Sequence, residues 1–510
     1  MFKKSILFNL SIILIFSPGL AWAQKIQSRK VMETPIAQIR FSPRIQKTFT
    51  VSPDSRRIAF VDHSVDKQQY VSVDGMDEVK CDEVVNRPIF SPDSKRISYI
   101  ARKGDKKFVV IDGKEEKHYD DILNYPVFSP DSKKLAYVAK AGSKEFVVID
   151  GVENEKFDEI GRTDVREGKV IFSPDSKRIA YAARLGDRTF VVVNGKRHKE
   201  YAHIGASLWR WEGLVFSPDS RRLAYQARAG AKWFAVIDGV EEERGYGSVS
   251  TPVFSPDSRR VGYVAKRGGK DVLVVDGKEG KEYDGIDQLT FSPDGKSLAY
   301  RAFLHGRWNT GGKWLFVFNG QEKKEFKITG DSFSAYGNIV FSPDSKRVAY
   351  KTRFGMVVDG KEEQYETTGY PVFSPDSRNS GYIAGYGDKL FSVINGQPGK
   401  IYNSLGSKFF LPDPVFSPDS HRVAYVARIG KKWSVIIDTT EGRLYDEILV
   451  FPGGEKVFES FDDHPYYHGF KDRIESESAI RGKLVFDSPN AMHYLALKGN
   501  TVYLIEETIE

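Results

Sequence analysis

The chain reads as all-β: a β-propeller of about eleven four-stranded repeat units, laid out as two tandem rings or one unusually wide ring. Three observations carry that reading. A Ser-Pro-Asp core, most often inside Phe-Ser-Pro-Asp-Ser, starts at Ser52, Ser91, Ser129, Ser173, Ser217, Ser255, Ser292, Ser342, Ser374 and Ser417. The starts are between 32 residues (Ser342 to Ser374) and 50 residues (Ser292 to Ser342) apart, a period that marks a repeat architecture. Asp-Gly or Asn-Gly pairs recur between the cores, and no segment between them has a clear helical pattern.

Each unit divides into four strands, A to D. Strand A ends in the Ser-Pro-Asp turn, where Pro presets φ and the Asp and Ser side chains can bond nearby amides; Gly295 replaces the last Ser once. Strand B follows, as in Arg96-Ile-Ser-Tyr-Ile-Ala101 and Arg422-Val-Ala-Tyr-Val-Ala427. Its run is apolar rather than alternating, which suits a strand covered on both faces. Strand C, such as Phe108-Val-Val-Ile111, ends in a pair such as Asp112-Gly113, Asp150-Gly151 or Asn194-Gly195. These pairs predict type I′ hairpins with φ > 0 at both central positions. Strand D is charged with one aromatic, as in Lys117-His-Tyr-Asp-Asp121, a pattern fit for an exposed edge. Four antiparallel strands per unit is the layout of a propeller blade.

The repeat covers residues after about 40. Before it, Lys3 and Lys4 precede an apolar run from Ile6 to Phe16, and Ala21-Trp22-Ala23 offers a small-x-small cleavage site. This predicts a signal peptide over 1–23 and export to the periplasm or beyond. The run is shorter than the roughly 20 residues of a membrane span, and no other segment could cross, so the chain is not membrane-spanning once cleaved. The formal net charge of +7, with Lys3 and Lys4 in the leader, is too mild for a 510-residue chain to argue for a nucleic-acid partner. The single cysteine, Cys81, predicts a buried structural thiol rather than a disulfide framework.

The Phe-Ser-Pro-Asp-Ser/Gly-Lys/Arg string followed by an apolar-Ala-Tyr run resembles the WD-repeat-like blade of TolB-type propellers. It is also similar to blades of the prolyl oligopeptidase and dipeptidyl-peptidase relatives. The resemblance spans nearly all of residues 40–510 and implies the blade. It does not extend to activity: only Gln24 to Val51 precede the repeat, where TolB has a separate α/β domain, and no region matches the hydrolase domain of the peptidases.

Lys483-Leu-Val-Phe-Asp-Ser-Pro-Asn490 is a scrambled strand A, with Tyr494–Leu497 and Val502–Ile505 as its strands B and C. This eleventh unit has no strand D of its own. Ile36–Phe41 is a spare strand that would complete it and close a ring. Eleven blades exceed the usual four to eight, which favours two rings, 24–300 and 301–510, split near the longest spacing. The single spare strand instead suits one continuous ring over 24–510.

The sequence contains no nucleophile elbow and no phosphate-binding glycine loop, so no catalytic set and no cofactor is expected. The alternative is an exported glycan hydrolase or lyase working from paired carboxylates. Asp462-Asp463-His464-Pro-Tyr-Tyr-His468 has nitrogen and oxygen donors for a metal, against a reading as a solvated polar loop. In a propeller the A–B and C–D turns share one end and the B–C and D–A connections the other. The uniform turns predict a structural end; variable connections such as Tyr201–Gly213 and Ile328–Asn338 predict a binding end. The B–C turns place Arg102, Lys140, Arg184, Arg228, Lys266 and Arg428 at equivalent positions, near Trp209, Arg210 and Trp211. A basic ring with Trp suits a protein or an anionic envelope polymer; solvated strand-end cations are the plainer account. The leading expectation is therefore an exported, non-catalytic binding scaffold.

Overall fold

The computed structural model describes residues 26, 28–39, 43–161, 170–205, 213–304, 312–328, 339–352, 355–387, 389–405, 413–450 and 482–510. Eleven antiparallel four-stranded blades follow one another in a ring. Blade 3 shows the standard form. Its strand A is split into Asp121–Ile122 and Val127–Phe128, both pairing with strand B (Leu135–Ala141). Strand C (Lys144–Ile149) and strand D (Val152–Phe157) complete the sheet.

The turns obey local sterics. Asp150 and Gly151 have φ of 48° and 76°, and Asn194 and Gly195 have 49° and 77°, as a type I′ hairpin requires. The last Ser of each Ser-Pro-Asp-Ser turn also has positive φ, 63° at Ser94 and 61° at Ser132. Its hydroxyl has a use that offsets this strain. Ser132 Oγ accepts the Asp93 amide of the preceding blade at 2.9 Å. The same bond joins Asp54 to Ser94, Asp131 to Ser176, Asp175 to Ser220 and Asp219 to Ser258. It also joins Asp294 to Ser345, across the 50-residue interval that the sequence offered as a ring boundary, then Asp344 to Ser377 and Asp376 to Ser420.

Between blades lies the core. Ile100 and Val109 of blade 2 pack with Ile122, Phe128 and Tyr137 of blade 3. Strand B is buried on both faces, so its near-continuous apolar sequence is needed; each buried Val or Phe side chain contributes about 1.5–3 kcal/mol.

The N-terminal segment closes the ring as strand D of blade 11. The strand is Arg29–Gln38, earlier than the Ile36–Phe41 read from the sequence, and it pairs antiparallel with Thr501–Ile509. The wide-ring alternative therefore describes the architecture. One strand assignment needs correction. Asp120 and Asp121 do not extend strand D, and neither do Asp158 and Glu159 at the equivalent positions of the next unit. Tyr119 ends the D edge by bridging Lys107 and lies edge-on to Tyr137 of the next blade. Asp121–Ile122 then pairs with strand B of blade 3, and Glu159–Ile160 with strand B of blade 4. Likewise His203–Ile204 already pairs with strand B of blade 5, as Leu214–Phe216 does, so strand A of that blade begins inside the Tyr201–Gly213 connection read from the sequence.

Candidate functional site

The two ends of the ring are built differently. At the A–B and C–D end the repeat spends its side chains on itself. Asp112 accepts the Ile97 amide at 2.8 Å and Arg96 Nε at 3.0 Å. The Arg96 guanidinium also reaches the Ser132 and Lys133 carbonyls of blade 3. Arg57, Arg222, Arg260 and Arg347 do the same toward Asp74, Asp238, Asp276 and Asp359. Arg96 is thus a joint residue rather than a free surface cation.

At the B–C end a second device links neighbours. Asp120, at the crossing from blade 2 to blade 3, accepts Lys106 Nζ at 2.5 Å and the Gly142 amide of the blade 3 turn at 2.6 Å. Asp158 accepts Lys144 Nζ and the Gly186 amide, both at 2.7 Å. Asp446 accepts the Gly499 amide at 2.7 Å, with Lys432 at 3.2 Å. Asp82 and Glu366 take the Gly104 and Gly387 amides at 2.7 and 2.6 Å. Asp120, Asp158 and Asp446 thus sit in carboxylate seats made by a lysine of one blade and a turn amide of the next, while Asp82 and Glu366 take the turn amide. The seat prefers the anion: Lys106, then the Gly142 amide, hold the Asp120 carboxyl below its usual range, and Lys144 with the Gly186 amide do so for Asp158.

The six basic residues proposed from the sequence stand at the B–C end, but in unlike surroundings. Arg102 donates to Glu83 at 2.9 Å and to the Gly104 carbonyl. Arg184 repeats this with Glu159 and Gly186. Lys266 pairs with Asp271 at 3.1 Å. Lys140 is half-buried, opposite Asp121 and Glu145 in register. Arg228 and Arg428 are exposed and lie over Trp233 and Trp433, 5.9 and 6.0 Å from the ring centroids. The structure thus aligns the six on one end and engages Arg102, Arg184 and Lys266 with acids. Trp209, Arg210 and Trp211 lie outside the described residues, as does the Asp462–His468 segment. Trp233 and Trp433, and the carboxylate seats, escaped the sequence reading. Their signal was present as the aromatic-acid-acid strings Tyr119-Asp120-Asp121, Phe157-Asp158-Glu159 and Tyr445-Asp446-Glu447.

Several carboxyls are pushed upward, mainly by burial, and two of the clearest have structural settings. Glu78 lies against the turn glycine Gly113 of the next blade. Asp438 accepts the Val423 amide and pairs with Arg422 at 3.3 Å, both side chains 5% exposed. Burial pushes the Cys81 thiol up to about 11, so it stays protonated and inert. Among the described residues no group of three or more His, Cys, Asp or Glu is placed to hold a metal, and no helix is long and apolar enough to cross a membrane.

No family model and no curated protein matches the chain. Among solved structures it is similar to a eukaryotic initiation factor at 13% identity, covering 68% of this chain and 97% of that one, with a TM-score of 0.36. It is similar to a putative TolB from Agrobacterium tumefaciens at 16% identity, covering 43% and 85%, TM-score 0.24. It is also similar to TolB from Acinetobacter baumannii at 14% identity, covering 52% and 80%, TM-score 0.21. Likeness at this level carries no argument about activity.

Proposed function

We propose that the chain is an exported, non-catalytic β-propeller scaffold that binds a protein or a cell-envelope polymer at its B–C end, with residues 24–510 acting as one continuous unit. The observation that supports this reading is the asymmetry of the ring. At one end the turn residues are bonded to the next blade in joint after joint. At the other, the connections differ in length, and the linking residues change from blade to blade. A rigid frame carrying variable connections is the usual arrangement of a binding surface.

The test is capture of partners from envelope extracts by the full chain. Replacing Arg428 and Lys431, exposed at the B–C end, with Ala should lower capture. Replacing Lys95 and Lys133, exposed at the other end, with Ala should not. Equal loss from both would overturn the assignment of the binding end. Capture that depends on exposed cations should also fall with added salt, because charges are screened over about 8 Å at physiological ionic strength. Export is tested separately: the processed protein should begin at Gln24, and a chain retained at full length in the cytoplasm would overturn that part.

A further inference from the structure

The carboxylate seats are unequal around the ring. Ala202 and Gly247 stand where other joints have Asp82, Asp120, Asp158, Asp284 or Asp446. Each follows the aromatic that ends the D edge: Tyr201 and Tyr246 there, Tyr119 in the complete joint between blades 2 and 3. These two acid-free joints are consecutive, one on each side of blade 5.

The turn amide remains at both joints, and the lysine at one. Between blades 5 and 6, Lys232 takes the place of Lys106 and the Gly268 amide that of Gly142. Gly268 has φ of 57°, close to the 61° of Gly142, so its turn amide has the same local geometry. Lys232 is exposed, and its Nζ reaches only the Gly245 carbonyl at 3.4 Å. Between blades 4 and 5, Arg188 stands in the place of Lys106 and is held by Glu200 at 2.7 Å; the Gly230 amide (φ 59°) takes the place of Gly142, and the cation left near it is Arg228, on the face of Trp233. No side chain of the described residues takes up the Gly230 or Gly268 amide. Ala202 and Gly247 are both exposed. Between blades 9 and 10, by contrast, Asn403 keeps a side-chain oxygen at this position.

The geometry points to blade 5 as an anion-binding sector: its two joints take carboxylates from a partner, at the positions where other joints use their own aspartates. This rests on the reading of the B–C end as the binding end. The ligand chemistry is that of a side-chain carboxylate. Elsewhere in the ring the same donor set receives an Asp or Glu on a short flexible stem, and an acidic segment of a protein partner presents that group. A uronate polymer holds its carboxylate on a sugar ring without such a stem. A charge-assisted bond to an ammonium plus one to a backbone amide is among the stronger polar contacts.

Binding of a fluorescein-labelled octa-aspartate peptide to the purified chain, read by anisotropy, tests this. The decisive variant is Ala202→Asp with Gly247→Asp, which installs the repeat's own carboxylates. Neither site has positive φ, and an added Cβ at Gly247 would meet only the Lys266 carbonyl, at 3.4 Å. The double variant should fold with an unchanged or higher urea midpoint and bind the peptide at least about tenfold more weakly. Lys232→Met should also weaken binding, whereas Arg102→Ala, beside a completed seat, should not. Undiminished binding by the double variant overturns the inference, as does binding of polygalacturonate without the peptide. The capture assay separates the two proposals. Loss of capture on replacing Arg428 and Lys431, with full capture by the double variant, would sink this inference and leave the binding end standing. No capture by the unmodified chain, alongside peptide binding that the double variant abolishes, would do the reverse.

Discussion

An ordinary joint and the joints around blade 11 solve the same packing problem with different chemistry. Between blades 2 and 3 the Asp93 amide meets Ser132 Oγ, and Arg96 reaches backbone carbonyls. Blade 11 is assembled from both ends of the chain, and its turn reads Asp487-Ser-Pro-Asn490. It keeps one amide-to-serine bond, from Lys483 N to Ser55 Oγ at 2.9 Å. Charges supply the rest. Arg56 meets Glu506 at 2.8 Å and Asp487 at 3.2 Å. His493 Nδ1 lies 2.8 Å from Asp487 Oδ2, and its Nε2 donates to the Asp54 carbonyl at 2.6 Å. On the other side of the blade, Arg29 meets Glu507 at 2.5 Å and donates to the Val435 and Thr440 carbonyls at 3.0 Å. Ordinary joints carry ion pairs too, such as Lys117 with Glu153 and Lys199 with Glu241, but with the lysines exposed; where the chain ends replace the repeat, the pair between Arg29 and Glu507 is buried.

The largest expected effect breaks the closure. Arg29→Ala leaves Glu507 buried, its side chain 0% exposed, and should cost about 3–5 kcal/mol. Urea unfolding should show the loss, with faster hydrogen exchange at Val502–Ile505. A loss of only about 0–1 kcal/mol, as for an exposed pair, would mean that the ends are not a special joint. Next, Gly151→Val forces a β-branched residue to φ near 76° and should cost about 1–2 kcal/mol, read as a shift in urea midpoint. Smaller again, Ser94→Ala removes the acceptor of the Asp54 amide and should cost about 1 kcal/mol. A larger loss than from Arg29→Ala would reverse the ranking of the two kinds of joint.

The smallest effect is on pH dependence. Ser91, then the Lys95 amide, hold Asp93 below the usual range, and the matching Ser and turn amide do so for Asp175, Asp219 and Asp294. A folded carboxyl depressed below its unfolded value stabilises above that value, about 3.9, and loses the contribution as pH falls through the folded value. Acid titration followed by hydrogen exchange should therefore loosen the ordinary A–B turns below about pH 4. Loosening that begins well above that pH would show that these aspartates do not carry the effect.

Much of this was legible because it is local. Asp-Gly geometry follows from sterics at two residues, and the apolar run of strand B follows from burial on both faces. The end of strand D was misread because Asp120 and Asp121 continue its charged pattern. Only their partners, Lys106 and the Gly142 amide for one and Lys140 in register for the other, assign them to a crossing and a new strand. The basic series was readable as spacing, but not its division into Arg184, paired with Glu159, and Arg228, lying on Trp233. That division depends on which residues of the neighbouring strands face each cation.

The amino-acid sequence alone determined the blade, its turns, its repeat number and the need for an N-terminal strand to complete the last unit, because these rest on contacts within about 40 residues or on a count. The single ring, the distinct closing joint and the acid-free pair of joints around blade 5 came from the folded arrangement. Ring size depends on the small angle between successive sheets, which no single residue encodes and which accumulates around the circle. The character of each joint depends on side chains from two blades meeting across a packed interface.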